Sequence, residues 1–333
     1  LVIATHGRSF WILDDMTPLR QAREAVATKG SWLYQPATAV RIDNDVFTGT
    51  PLPPEEPTAD NPPSGAIIDY ILASSAKEVV LEILDANQKL VRKFSSSDRP
   101  QKHSPGAIAE RWYPKPEVLE TSAGMHRFVW NLVWGSSDGA GGDEGWRSPS
   151  PPKAIPGTYQ LRLTVDGQSK TQPLQLVMDP RSPATSEVLE KQFELSQRIY
   201  SEAMAVHRTL AEIKAVQKQL ADLQQKASSQ KAELKAALTD AQTTLNRIVA
   251  AKAEGSEHDL GLEDASPNLA SALHVVESGD RETPAGAIAV YNESREQAQA
   301  RTAEWSAFKQ TSLPALNERL RQAGLSTISV SPK

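Results

Sequence analysis

The sequence predicts a multidomain chain that is β in its first part and α in its second. Before Pro183, apolar residues alternate with polar ones in short runs; after it they recur at steps of three and four. Proline and glycine punctuate the first part, whereas the second is made of long Ala-, Gln-, Glu-, Lys- and Leu-rich stretches. Six of the seven tryptophans precede Pro183. A length of 333 residues fits two or three domains of roughly 100–200 residues each.

The elements follow in order. Leu1–Thr5 and Ser9–Leu13 flank His6-Gly7-Arg8 and read as a hairpin. Thr17-Pro18 offers an N-cap and first-turn proline for a short helix to about Ala27, and Trp32–Ile42 reads as a strand. Between 44 and 64, six prolines forbid regular ladders, so this is a linker. Strands follow at 66–73, 78–84, 90–94 and 125–134. The clearest hairpin is 156–180: Tyr159, Leu161, Leu163 and Val165 alternate, Asp166-Gly167 supplies a type I′ turn, and Leu174, Leu176 and Met178 alternate on the return. These short, turn-punctuated strands predict an immunoglobulin-like antiparallel β-sandwich. Thr185–Lys226 and the run through Leu234, Leu238, Ala241, Leu245 and Ile248 then predict an antiparallel helical hairpin broken at 226–230. Ser266-Pro267 and Thr283-Pro284 are read as further helix starts, Pro314 as a kink or restart, and Gly324 as the last helix end. Together these make a helical bundle.

Composition narrows the function classes. A net charge of -5 without a basic stripe argues against nucleic-acid binding. No run approaches the roughly 18 apolar residues of a membrane span. With no cysteine, there is no disulfide, thiolate metal site or cysteine nucleophile. The six histidines show no HxH or HExxH spacing, so no metal site is written locally. No GxSxG, P-loop or dinucleotide glycine motif occurs, and no cofactor is expected. Asp138, Asp143 and Glu144 lie in a glycine-rich loop without EF-hand spacing and read as solvated. Asp14-Asp15 is the obvious carboxylate pair, but neighbours on a strand point to opposite faces and cannot flank one glycosidic bond. No catalytic residue is assigned. Trp112, Trp130 and Trp134 are the candidates for a ligand or glycan surface, with Trp130 and Trp134 expected on one strand face.

The opening "LVIATHGRSFWILDDMTPLRQ" (1–21) resembles the closing strands of the sortilin-like (VPS10-type) β-propeller in bacterial proteins known as BNR-repeat glycosyl hydrolases. "PPSGAIIDYIL" (62–72), "LEILDANQKLVRKFSS" (81–96), "TSAGMHRFVWNL" (121–132), "PGTYQLRLTVDG" (156–167) and "MDPR" (178–181) resemble that family's C-terminal region. The resemblance implies an exported bacterial protein, periplasmic or extracellular, with a propeller upstream of Leu1. The Ser-x-Asp-x-Gly-x-x-Trp box of its repeats is missing from this chain, so no family catalytic residue carries over. The resulting expectation is residues 1–43 as closing propeller strands plus a short helix, 44–64 as linker, 65–181 as sandwich and 182–333 as helical bundle. The expected role is non-catalytic: bracing the propeller and presenting a surface to a protein or glycan partner. The alternative is the accessory part of a glycoside hydrolase whose active site lies in the propeller. A lone hairpin is only marginally stable. The opening is therefore expected to be donated to another copy, packed on the sandwich, or paired with a chain carrying the rest of the propeller.

Overall fold

A computed structural model describes residues 1–7, 10–28, 30–42, 62–99, 118–135, 149–226, 232–250 and 260–330. The chain divides into two compact units. The first comprises Leu1–Asp143, Pro151–Phe193 and Ser278–Glu282; the second comprises Glu144–Ser150, Glu194–Glu277 and Thr283–Lys333. The Trp112-Tyr113 pair, most of the proline-rich linker and the acidic glycine-rich loop lie outside the described residues.

The first unit opens with β1 (Val2–Ala4), β2 (Phe10–Ile12), α1 (Thr17–Arg20) and α2 (Ala22–Ala27). The expected single short helix is thus two, and Met16, not Thr17, is the N-cap. Asp15 prepares this start, its Oδ1 accepting the Thr17 N–H at 2.8 Å. There follow β3 (Ser31–Leu33), β4 (Ala39–Arg41), β5 (Ala66–Leu72), β6 (Val79–Leu84), β7 (Leu90–Ser95), β8 (Gly124–Trp130), β9 (Gly157–Val165) and β10 (Gln168–Met178). They form a five-stranded sheet in the order β4-β10-β9-β6-β7 and a three-stranded sheet in the order β3-β5-β8. Every pairing is antiparallel except β4 with β10. Alternation sends Leu81, Ile83, Leu161, Leu163, Leu174 and Leu176 from one sheet, and Ile68, Tyr70, Phe128 and Trp130 from the other, into one apolar core. The β9–β10 turn has Asp166 at φ 46° and Gly167 at φ 84°, the positive pair that a type I′ turn requires.

The strands depart from the sequence expectation as well: the single strand expected over Trp32–Ile42 is two, β3 and β4, in different sheets. β3 and β4 precede residue 44, yet they pair with β5 and β10, so the segment 65–181 does not complete its own sheets. The strand expected over 125–134 stops at Trp130, because Leu132 turns the backbone at φ 62°. The chain then changes partner: Val133 bridges Lys153, and the Trp134 N–H donates to Pro152 O at 2.8 Å.

The remaining helices are α3 (Ser186–Lys226), α4 (Ala232–Val249), α5 (Leu262–Glu277), α6 (Ala285–Ala307) and α7 (Leu313–Gln322), with a π-helical stretch Phe308–Ser312 before α7. In the second unit, Ile213, Val216, Leu220 and Leu223 of α3 share a core with Leu234, Leu238, Ala241 and Leu245 of α4. Gln224 Nε2 donates to Leu238 O and Gln217 Nε2 to Asn246 Oδ1, so the two helices run antiparallel, as the 3–4 spacing predicts. Pro267 lies inside α5 instead of starting it. Leu262 and Ala265, both fully buried, draw the preceding turn into the helix, and Asp264 Oδ2 accepts the Gly261 N–H at 3.1 Å. Ile288 is exposed, and Ala287 takes the core position on that turn. Leu316 and Leu320 are buried, and Gly324 ends α7 at φ 72°, as the sequence predicts for the helix end.

Next to the π-helical stretch, Glu212 accepts hydrogen bonds from Trp305 Nε1 at 2.9 Å and Lys309 Nζ at 3.1 Å. Burial pushes the Glu212 carboxyl up, but these donors and the lysine charge outweigh it, leaving it below the ordinary glutamate value. The stabilisation is therefore complete above that ordinary value and is lost as pH falls through the lower folded value. Glu212→Gln should flatten the acid limb of the second unit's stability against pH. Equal acid slopes for both proteins in urea titrations followed by hydrogen exchange in α3 and α6 would contradict this.

Candidate interaction surface

The hairpin pairs Val2 with Ile12, Ile3 with Trp11 and Ala4 with Phe10. The Leu13 N–H donates to Leu1 O at 2.8 Å. By alternation, Ile3 and Trp11 also exchange backbone hydrogen bonds, while the backbone groups of Val2, Ala4, Phe10 and Ile12 point to the two outer edges. Ile3 and Trp11 stand on one face, and Val2, Phe10 and Ile12 on the other. Exposure is 61% for Val2, 50% for Ile3, 72% for Phe10 and 66% for both Trp11 and Ile12. Among the described residues no third strand pairs with either edge. Packing on the sandwich, one of the three expected arrangements, is not what the hairpin does.

An antiparallel ribbon at a surface has one apolar face and one polar face; a ribbon apolar on both faces belongs inside a layered structure. Full burial of such a side chain is worth about 1.5–3 kcal/mol, so five of them hold on the order of 10 kcal/mol of unrealised stabilisation. Open edges and apolar faces are the features through which one sheet can extend or cover another.

The tryptophans chosen from sequence lie elsewhere. Trp130 has 0% exposure, its indole N–H donates to Val133 O at 3.1 Å, and its ring meets Tyr159 edge-on at 5.5 Å. No face of it is open to a sugar. Trp134 lies beyond β8, so the shared strand face does not form. Its ring is half-buried, 5.0 Å from Phe193 and 6.4 Å from Tyr159. Trp112 is outside the described residues.

Two ion pairs stand outside the sequence expectation: one joins a buried carboxylate to an exposed arginine, and the other is buried on both sides. Asp69, 3% exposed on β5, takes a bidentate contact from Arg127 directly across on β8, with Nε–Oδ1 at 2.9 Å and Nη2–Oδ2 at 3.0 Å. The Asp69 hydrogen bonds hold the Arg127 guanidinium further toward its charged form; burial opposes this, and Asp15 and Asp14 add to it through space. An acid in the middle of the apolar run Ala66–Leu72 is the signal that could have found this pair. In the other pair, Arg41 Nε donates to Asp280 Oδ1 at 3.0 Å and Nη1 to Ala154 O at 2.8 Å.

A cleft of about 280 Å³ in the first unit is lined by Ser74, Ser75, Asp166, Gln168 and Lys170 among others. Its carboxylate is committed to structure: Asp166 Oδ1 accepts the N–H groups of Lys77 and Glu78 at 2.9 and 3.0 Å. Among the described residues, no three His, Asp or Glu side chains converge as a metal site would require, and no helix is long and apolar enough to cross a membrane.

No family model and no curated protein matches the chain. Among solved structures it is similar to the crystal structure of CopC from Methylosinus trichosporium OB3b, at 12% identity over 36% of this chain and 80% of that one, with a TM-score of 0.17.

Proposed function

We propose that this chain is a non-catalytic structural and interaction region of an exported bacterial protein. In this reading its N-terminal hairpin completes a β-propeller of the sortilin-like type, and an immunoglobulin-like sandwich and a helical bundle brace that propeller. The observation that carries the proposal is the hairpin, apolar and exposed on both faces and open at both edges. A propeller blade is covered by a neighbour on each face, which is the environment such a ribbon needs. The resemblance of "LVIATHGRSFWILDD" to the closing strands of that family supports the same reading, and export rests on it as well.

The test compares hydrogen exchange at residues 2–4 and 10–12 in this chain alone and in the native protein with whatever sequence precedes Leu1. Protection at these amides should rise by a factor on the order of 10² or more when the propeller is present. Trp11→Glu should remove that protection while leaving the urea midpoint of the isolated chain nearly unchanged, because an exposed site costs within about 0.5 kcal/mol. Equal exchange in both proteins, or a preceding sequence without repeated β-blades, would overturn the reading.

A further inference from the structure

Residues 325–330 follow α7 and are neither helix nor strand, yet side chains hold their backbone from two sides. Asn317 of α7 donates from Nδ2 to Ile328 O at 3.0 Å, and its Oδ1 accepts the Ile328 N–H at 2.8 Å. Gln219 of α3 donates from Nε2 to Ser329 O at 2.8 Å, and its Oε1 accepts the Ser329 N–H at 3.0 Å. Each amide satisfies both backbone groups of one residue, as a neighbouring strand does in a hydrogen-bonded β-pair. Successive residues of an extended chain turn these groups to opposite sides, so one helix reads each edge. Ile328 is 4% exposed in the core, with Leu325 and Val330 packed against the same cluster. Ser326, Thr327 and Ser329 face outward.

We infer that the channel between α3 and α7 is a binding site for an extended peptide, which the chain's own residues 325–330 fill in cis. The partner it fits is a protein segment of the same chemistry. That segment carries a β-branched anchor, an apolar residue three positions before it, another two positions after it, and small polar residues between. Two observations carry this. Amides that read only backbone N–H and C=O are indifferent to the guest's side chains, so specificity falls on the apolar anchors. Residues 325–330 are themselves such a guest, joined to α7 through the left-handed Gly324, whose N–H and that of Leu325 cap the helix end.

The experiment uses the full chain with a protease site introduced between Gly324 and Leu325, and a fluorescent peptide with the sequence of residues 323–330 read by anisotropy. The cleaved chain should bind the peptide saturably. The intact chain should bind it about tenfold more weakly or worse, as expected when a cis segment leaves a tenth or less of the sites open. A peptide carrying Ile328→Asp should not bind, and Asn317→Ala with Gln219→Ala should weaken binding. A cleaved chain that keeps its helical circular dichroism but shows no saturable binding overturns the inference, as does equal binding by intact and cleaved chains. If cleavage unfolds the bundle, Ile328→Ala in the uncut chain loosens the segment instead. Peptide binding must then rise above that of the unmodified chain, and no rise overturns the site.

Discussion

Gly65→Ala should cost the first unit on the order of 4 kcal/mol, at the upper end of what one methyl group can do. The added Cβ would lie 2.2 Å from Trp130 O and 2.9 Å from Trp130 C, both backbone atoms that no rotamer change can move. Ala66 pairs with Trp130 at the start of the β5–β8 ladder, so yielding means shifting the register that places Ile68, Tyr70 and Phe128 in the core. Gly65 also sits at φ 129°, a conformation costly for any other residue. Gly124→Ala is the matched control. Gly124 has φ 130° but nothing within 4 Å of a Cβ, so it should show only the backbone strain of about 1–3 kcal/mol. Urea unfolding of both variants, with exchange at β5 and β8 as the local readout, separates clash from strain. Equal losses would mean that the close approach to Trp130 is relieved without cost.

Asp280→Ala should destabilise the first unit by about 3–5 kcal/mol, the range for leaving one partner of a buried ion pair alone. The Arg41 side chain is 5% exposed and that of Asp280 9%, so water cannot replace the lost carboxylate. Ala154 O would remain the acceptor for Nη1, leaving the Nε and Nη2 donors without Asp280. Asp280→Asn keeps an acceptor of the same shape and should cost less, and the order of the two variants is the diagnostic. Arg41→Met with Asp280→Leu removes both charges and should recover most of the loss. Exchange rates in β4 and β10 are the measurement; if Asp280→Ala leaves them unchanged, the pair does not hold this part of the sheet.

How much of this could be read in advance depended on the range of the forces involved. The β9–β10 hairpin was legible because alternation and Asp166-Gly167 are local signals, and the α3–α4 pairing because a 3–4 stripe needs a facing stripe. The hairpin at the start was legible too, although its exposure on both faces was not. β3 and β4 found their partners across many residues, which no window of sequence contains. Leu132 adopts a left-handed conformation that its side chain disfavours, so composition gave no warning of the strand's end. Proline is a strong local signal for a helix start, but at Pro267 the burial of Leu262 and Ala265 overrides it. The Trp130 and Trp134 surface did not form for a related reason. Aromatic spacing is the same for a core and for a platform, and only the second sheet decides between them. The amides of Asn317 and Gln219 look like any polar residues on a helix.

The weaving of β3 and β4 into the two sheets has a mechanical consequence. β3 lies at the edge of one sheet and β4 at the edge of the other, and both lie on the stretch of chain that leads from the hairpin. A pull exerted at β1 and β2 therefore enters the first unit through two ladders rather than through a slack tether. The β4–β10 ladder is parallel, so its bonds run between strands that point the same way. In the proposed reading, a propeller that holds the hairpin is joined to both sheets by the chain that carries β3 and β4, and cutting the gene near residue 43 would leave each sheet without its edge strand.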